Sequence, residues 1–376
     1  MKRLVLFFTY GISLKIWTET GLIDREILLY KRLIKKNINV SFITYGDESD
    51  YQYRDKLGGI EIIPFYAYVK KQGNKGIKFL QSFFLPVILK KHIMHADLLK
   101  TNQMSTSWAP ILAKLLYGKK LIIRCGFEWY QFLLKGPASL FMRLFIYITE
   151  WLSYHIADGI ILTSRDDARY ITQKFHIENK NKIRIIPNYI DANIFKPEDN
   201  IEKKQDHLLF IGRMTAQKNL FNLFDAIKGT RYTLDIIGDG ALKEKLLRYA
   251  LQDHIKVNFS GVYPNNKIPE LLNQYGIFIL PSYFEGNPKV LIEAMSCGLA
   301  VIGTNVKGIK EIIRHNENGL LCNTDADSIG NAIKLLMHDK RLRQRLGANA
   351  RKTIVSDFSL ENIVENECNI YRELLR

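Results

Sequence analysis

The sequence predicts an α/β protein made of two doubly wound parallel sheets, one in each half of the chain. Three observations carry that expectation. Short apolar runs rich in Val, Ile, Leu and Phe alternate with longer helix-period segments along all 376 residues, as in parallel strands joined by crossover helices. The alternation comes as two series, separated by PNYIDANIFKPEDNIEKKQD, Pro187 to Asp206, a stretch rich in Pro, Asn and charge without sustained periodicity. The length also suffices for two sizeable cores.

Taken in order, the first series places strands at Leu4–Phe8, Val40–Thr44, Ile60–Pro64, Leu98–Thr101, Leu121–Arg124, Ile160–Thr163 and Ile183–Pro187. The second places them at Leu208–Gly212, Leu234–Gly238, Val257–Ser260, Ile277–Pro281, Ala300–Gly303 and Leu320–Cys322. Most are near-continuous apolar runs, as expected of strands covered on both faces. Between them lie segments such as Leu22–Lys35, where Leu22, Ile23, Ile27, Tyr30, Leu33 and Ile34 form an apolar stripe. The expected division is 1–198 and 199–376, with a final helix over about 357–376 that can pack back on the amino-terminal domain. Ligands of open α/β sheets bind beyond the carboxyl ends of the strands, so a site between two such domains is the natural expectation.

Composition narrows the class. With 47% hydrophobic and 24% charged residues, the chain reads as an ordinary soluble globular protein. Cys125, Cys297, Cys322 and Cys368 form no CxxC pair, so neither a zinc site nor a disulfide framework is indicated, and a reducing compartment is the simplest reading. The opening MKRLVLFFTYGIS has too short an apolar run for a signal peptide and reads as a first buried strand. No stretch approaches the roughly 18–20 apolar residues that span a bilayer. The net charge of +16 lies mostly in the first half, and between residues 62 and 149 the acids are Asp97 and Glu128 alone.

The chemistry concentrates in two stretches, FIGRMTAQKN (Phe210 to Asn219) and PSYFEGNPKVLIEAMSCG (Pro281 to Gly298). In the first, Gly212 opens a turn where backbone can approach a ligand closely. Arg213 offers a planar fork for phosphate oxygens there, and Lys218 a point charge. In the second, Pro288 suits the first position of a helix, whose free amides near Asn287 to Lys289 would face anionic or hydroxyl groups. Glu285 precedes that helix and Glu293 lies within it, both within reach of one ligand. Two cations suit a diphosphate, and two separated carboxylates suit the hydroxyls of two sugars. The one D-x-D string, Asp325-Ala326-Asp327, precedes a helical pattern and reads as a helix cap rather than a magnesium site; no metal is expected.

These stretches, together with the G-D-G turn at Gly238–Gly240, F-S-G-V at Phe259–Val262, GTNVKGIKEII and ENGLLC, resemble in order the carboxyl-terminal domain of the family 4 glycosyltransferases. The resemblance reaches back to PNYIDANIFKP. It implies the GT-B architecture, two Rossmann-like domains facing each other across a cleft. The amino-terminal domain would bind an acceptor and the carboxyl-terminal domain a nucleotide-sugar, in a retaining, metal-independent transfer without a cofactor. On this resemblance Arg213 and Lys218 look like the diphosphate-binding pair, Glu293 like the ribose carboxylate and Glu285 like the one beside the transferred sugar. Gly212, the segment Gly286-Asn287-Pro288-Lys289 and Leu291 would complete the donor site, with Val262 and Lys267 near the nucleobase.

The amino-terminal half matches less closely. Gly11 stands where such enzymes bring backbone towards the donor phosphate, without the usual second glycine beside it. Where many relatives place a histidine, this chain has Arg124-Cys125-Gly126-Phe127-Glu128, which makes Arg124 or Glu128 candidates for action near the reacting sugar and Cys125 a packed thiol. Lys75–His95 joins Phe79, Leu80, Phe83, Phe84 and Val87 to Lys75, Lys78, Lys90 and Lys91, and Leu133–Trp151 is similarly apolar. These segments read either as core helices with solvated basic ends or as a surface that docks on anionic lipid. The second reading points to a lipid-linked glycan, lipopolysaccharide or capsule precursor as acceptor, and to a protein held peripherally on the cytoplasmic face of the membrane. A soluble sugar acceptor, and a non-catalytic nucleotide-sugar sensor, are the alternatives. Nucleic-acid binding has only the charge behind it, with no zinc-finger spacing or RNP-type motif.

Overall fold

The computed structural model describes residues 2–126, 130, 139–198 and 200–376. The chain forms two compact units, Met1–Ile186 with Val364–Arg376 and Pro187–Ile363. The first holds β1 (Lys2–Phe7), β2 (Ile38–Thr44), β3 (Glu61–Pro64), β4 (Leu98–Thr101), β5 (Lys120–Cys125), β6 (Gly159–Leu162) and β7 (Ile183–Ile185). They pair in the order β3-β2-β1-β4-β5-β6-β7, parallel throughout. The second holds β8 (His207–Ile211), β9 (Thr233–Ile237), β10 (Val257–Phe259), β11 (Ile277–Leu280), β12 (Ala300–Thr304) and β13 (Leu320–Cys322). Their order is β10-β9-β8-β11-β12-β13, again parallel.

The expected fold class is therefore what the structure contains, and each expected strand is present within a residue or two of its reading. Successive residues of β4, β6, β11 and β12 are all buried. Neighbouring strand residues point to opposite faces, so both faces of each sheet are covered. In both units the strand order reverses beside the first strand, between β1 and β4 and between β8 and β11. Such switch points are where open α/β sheets hold ligands.

Residues 187–198, read from sequence with the amino-terminal domain, belong to the second unit. Ile190 donates its amide to the Phe358 carbonyl (3.0 Å) and accepts from the Leu360 amide (2.9 Å), fixing this stretch against the end of the helix Lys340–Asp357. The last helix, Leu360–Leu374, starts in the second unit and enters the first at Val364.

That helix brings Glu367 and Tyr371 to Lys100 on β4. All three are buried, and Lys100 donates to the Glu367 carboxylate and to the Tyr371 hydroxyl (3.0 Å). The Tyr371 hydroxyl donates to the same carboxylate. Burial alone would raise the Glu367 carboxyl. The charges of Lys100 and Arg124 and the two hydrogen bonds outweigh it and hold the group below the usual glutamate range. Arg124, expected near the reacting sugar, is 7% exposed and contributes to this internal cluster. Its position on β5 fixes that outcome, because β5 lies beside β4 at the centre of a sheet covered on both faces.

The helices Lys75–Phe83, Leu85–Ile88, Trp108–Tyr117 and Leu140–Ile156 are apolar on more than one side. Phe79 and Phe83 pack on Trp108, whose indole donates to the Ser82 hydroxyl (2.9 Å). Leu80, Phe84, Val87, Leu140 and Phe141 face outward, at 57–82% exposure. These segments thus have both a core side and an exposed apolar side. Among the described residues no helix is long and apolar enough to cross a membrane.

All four tryptophans, Trp17, Trp108, Trp129 and Trp151, precede residue 187 in the sequence and none falls in the second unit, so indole fluorescence does not report that unit's unfolding. Glu367→Gln leaves buried Lys100 without its carboxylate and should destabilise this unit by about 3–5 kcal/mol in urea titrations. The double variant Lys100→Met/Glu367→Leu should recover part of that loss. A Glu367→Gln transition at the parent midpoint would count against an energetic role for the cluster.

Candidate functional site

The turn after β8 owes its shape to backbone packed on backbone. The Gly212 amide donates to the Ile237 carbonyl, Met214 to Asp239 (2.9 Å each) and Leu242 to Met214 (3.0 Å). A Cβ on Gly238 (φ +139°) would sit 2.1 Å from the Gly212 oxygen, and one on Gly240 2.5 Å from the Met214 oxygen. The G-D-G turn is glycine because nothing larger fits against its neighbour. This pins residues 212–214, with Met214 buried and Arg213 exposed. Among the described residues Arg213 makes no ion pair.

Lys218 follows on a one-turn 3-10 helix, Ala216–Lys218. Its ammonium lies 2.5 Å from a Glu285 carboxylate oxygen, with side-chain exposures of 13% and 9%. The Ser282 hydroxyl donates to the same oxygen (2.6 Å). The turn is tied to the loop after β11 at three further points. Gln217 donates from Nε2 to the Phe284 carbonyl (2.8 Å) and accepts from the Tyr283 amide (2.9 Å). Asn219, left-handed at φ +55°, donates from Nδ2 to the carbonyls of Pro281 (3.0 Å) and Thr324 (2.8 Å). The two stretches singled out in the sequence are thus one structure at the β8/β11 switch point.

The loop leads into the helix Lys289–Ser296, whose N-cap, Pro288, makes no side-chain capping bond. Asn287 is held through its own backbone and side chain. Its Oδ1 accepts from the Asn188 amide (3.0 Å) and its carbonyl from the Asn188 side chain (2.7 Å). Glu293 is half-buried in the second turn. The Leu291 side chain is fully buried in the core, and its amide donates to the Pro288 carbonyl. Helical spacing puts it opposite the ligand-facing side, and Pro288, having no N–H, contributes shape rather than a donor.

Val262 is 74% exposed after Gly261, whose carbonyl accepts from the Gly238 amide (2.6 Å), and Lys267 pairs with Glu270 at 3.6 Å on the surface. In the first unit Gly11 is exposed at φ +77° with open space where a Cβ would lie. Arg124 is in the buried cluster described above, and Glu128 lies outside the described residues. Cys125 is buried and accepts a hydrogen bond from the Tyr154 hydroxyl at 3.7 Å. Burial pushes the Cys297 and Cys322 thiols up to about 12. Asp325 caps the helix Ala326–His338 by accepting from the Ser328 amide (2.8 Å).

Sequence reasoning missed the supports, namely Gln217, Asn219, Ser282, Thr304 and Gly308. Thr304 is buried and donates to the Ser282 carbonyl (2.5 Å). The Glu285 amide donates to the Lys307 carbonyl (3.2 Å), and a Cβ on Gly308 (φ +82°) would lie 2.1 Å from the Gly286 oxygen. The glycine in N-V-K-G was the one available signal.

A family model described as Glycosyl transferases group 1 matches residues 191–353, and one described as Glycosyltransferase Family 4 matches residues 27–194. An uncharacterized glycosyltransferase of Methanocaldococcus jannaschii is 27% identical over 64% of this chain and 73% of its own length. Several other relatives are matched over about three-fifths of their length. The UDP-Gal:alpha-D-GlcNAc-diphosphoundecaprenol alpha-1,3-galactosyltransferase of Escherichia coli is 26% identical over 80% of both chains. Among solved structures, Anabaena HepE in complex with UDP has a TM-score of 0.76 at 17% identity, covering 99% of this chain and 100% of its own. That likeness extends the shared two-domain fold to the whole chain.

Gly308→Ala should force the loop at Glu285–Gly286 to shift. Overpacking of this kind costs about 1–3 kcal/mol, with roughly 1–2 kcal/mol more for the left-handed backbone. Calorimetry should show a lowered melting temperature for the unit without tryptophan, while the fluorescence transition stays in place. An unchanged calorimetric profile would remove the assigned role of Gly308.

Proposed function

The chain belongs to the family 4 glycosyltransferases, and on that premise we propose that it moves a sugar from a nucleotide-diphosphate donor to a lipid-linked saccharide with retention of anomeric configuration. The observation that carries the donor half is the union of Arg213, the Lys218–Glu285 pair and an uncapped helix start at one switch point. Supporting it, Anabaena HepE is known with UDP and with UDP-glucose bound.

In this reading the bond from the anomeric carbon to the β-phosphate oxygen breaks, and a bond to the acceptor oxygen forms on the same face. The acceptor proton passes to the departing diphosphate. Arg213 and Lys218 stabilise the charge growing on that leaving group, together with amides at the helix start. Each charge-assisted hydrogen bond is worth roughly 1.5–3 kcal/mol, so the set supplies the required stabilisation without a metal or a covalent nucleophile. Glu285 fixes a hydroxyl of the transferred sugar, and Glu293 the ribose. Lys218 contributes less net charge than an isolated lysine, because Glu285 already accepts from it, and its larger effect is geometric.

The acceptor half rests on the first unit. Its exposed Leu80, Phe84, Val87, Leu140 and Phe141 stand among Lys75, Lys78, Lys90 and Lys91, the composition of a surface that docks on anionic lipid. The name of the Escherichia coli relative specifies an undecaprenol-linked acceptor.

A thermal-shift panel of UDP-, GDP- and ADP-sugars should show one class raising the melting temperature, through ligand linkage. With that donor, Arg213→Ala should lower turnover by roughly 10²–10³-fold; full turnover in the variant would refute the donor assignment. Sedimentation with anionic vesicles should be lost on charge reversal of Lys70, Lys71, Lys75 and Lys78. Retained sedimentation would defeat the electrostatic docking, and turnover of a soluble acceptor without vesicles would favour the soluble alternative.

A further inference from the structure

A cavity of about 680 Å³ opens in the second unit, lined by His207, Gly276 and Ile277, at the amino ends of β8 and β11. The donor-side turns leave the carboxyl ends of the same two strands, so the cavity is at the opposite edge of the sheet. Its volume falls within the roughly 300–1,000 Å³ of small-molecule sites. The lining includes Lys203, Lys204, Lys340, Arg343, Arg351 and Lys352 against one carboxylate, Asp206, which itself lies 3.2 Å from Arg231.

The cations differ in what already holds them. Arg351 is structural, donating to the carbonyls of Ala192, Phe195 and Ser296 at 2.6–2.9 Å. Lys204 donates to the Tyr275 hydroxyl (2.8 Å), and Arg343 to the Leu336 carbonyl (3.0 Å). Lys340 and Lys352 are exposed, and among the described residues neither has a carboxylate within ion-pair distance. The helix Lys340–Asp357 that carries them has further cations at Arg341 and Arg345, and its one acid, Asp357, lies 3.5 Å from Arg314. Gathering like charge around a concavity costs self-repulsion and focuses a positive potential within it. An anion with several charges relieves that repulsion, whereas a neutral sugar does not.

We propose that this cavity is a second anion site, binding a soluble ligand with several phosphate groups through Lys340, Arg343 and Lys352. It does not depend on the donor reading. The probe is inorganic tripolyphosphate, titrated calorimetrically into the full chain. Arg213→Glu, an exposed reversal, closes the donor side to anions. Binding should persist in that variant, weaken as salt rises, and fall at least about tenfold on adding Lys340→Glu/Lys352→Glu. Equal binding with and without the lysine reversals would overturn the proposal, as would loss of all binding in Arg213→Glu alone. The same variants with vesicles of phosphatidylcholine and phosphatidylglycerol form a second arm. Vesicle binding that needs the two lysines, without tripolyphosphate binding, would assign the cavity to lipid phosphate and overturn the soluble ligand.

Discussion

The ion pair between Lys218 and Glu285 is the constraint on which the second unit's site depends. Its partners come from two segments that meet because β8 and β11 are neighbours in the sheet. Each side chain is nearly withdrawn from water, so neither charge is tolerable without the other. The loop after β11 therefore has few places to go. Ser282 and the tie from Gln217 add direction to what the charges hold. A site whose donors are fixed before a ligand arrives spends no reorganisation when charge develops.

Backbone contact does for the neighbouring turns what charge does here. Gly238 and Gly240 let one turn lie on another, and Gly308 lets a third loop lie against Glu285 and Gly286. The result is a set of loops whose main chains approach one another closely. That arrangement suits a ligand rich in hydroxyl and phosphate oxygens, since both accept from amides.

The fold was legible because strands covered on both faces are mostly apolar, as β6 and β11 are along their whole length. Arg213, Lys218, Glu285 and Glu293 stood out in the sequence because they are charged residues in and just after the turns that follow two apolar strands. The surroundings of Arg124 were not legible, for an equally physical cause: they include Glu367, remote in sequence, on a helix whose destination no local pattern encodes. Leu291 lies beside positions singled out in the sequence, and helical geometry turns its side chain inward. The boundary near residue 187 depends on Ile190 pairing beside Ser359, again a contact without a local signature. The supports Asn219, Ser282 and Thr304 were invisible as ordinary polar residues, because only the tertiary fold brings their acceptors near.

The last helix has a consequence for how the chain is made. Lys100 emerges from the ribosome early, whereas Glu367 follows 267 residues later and Tyr371 after it. Until then the amino-terminal sheet has a cation at its centre without the partners that make burial tolerable, and it cannot complete itself however long synthesis pauses. The middle of the chain, Pro187 to Ile363, is continuous and waits for nothing downstream. The usual vectorial order, first domain first, is thus inverted: the later-made body is free to mature before the earlier one can close.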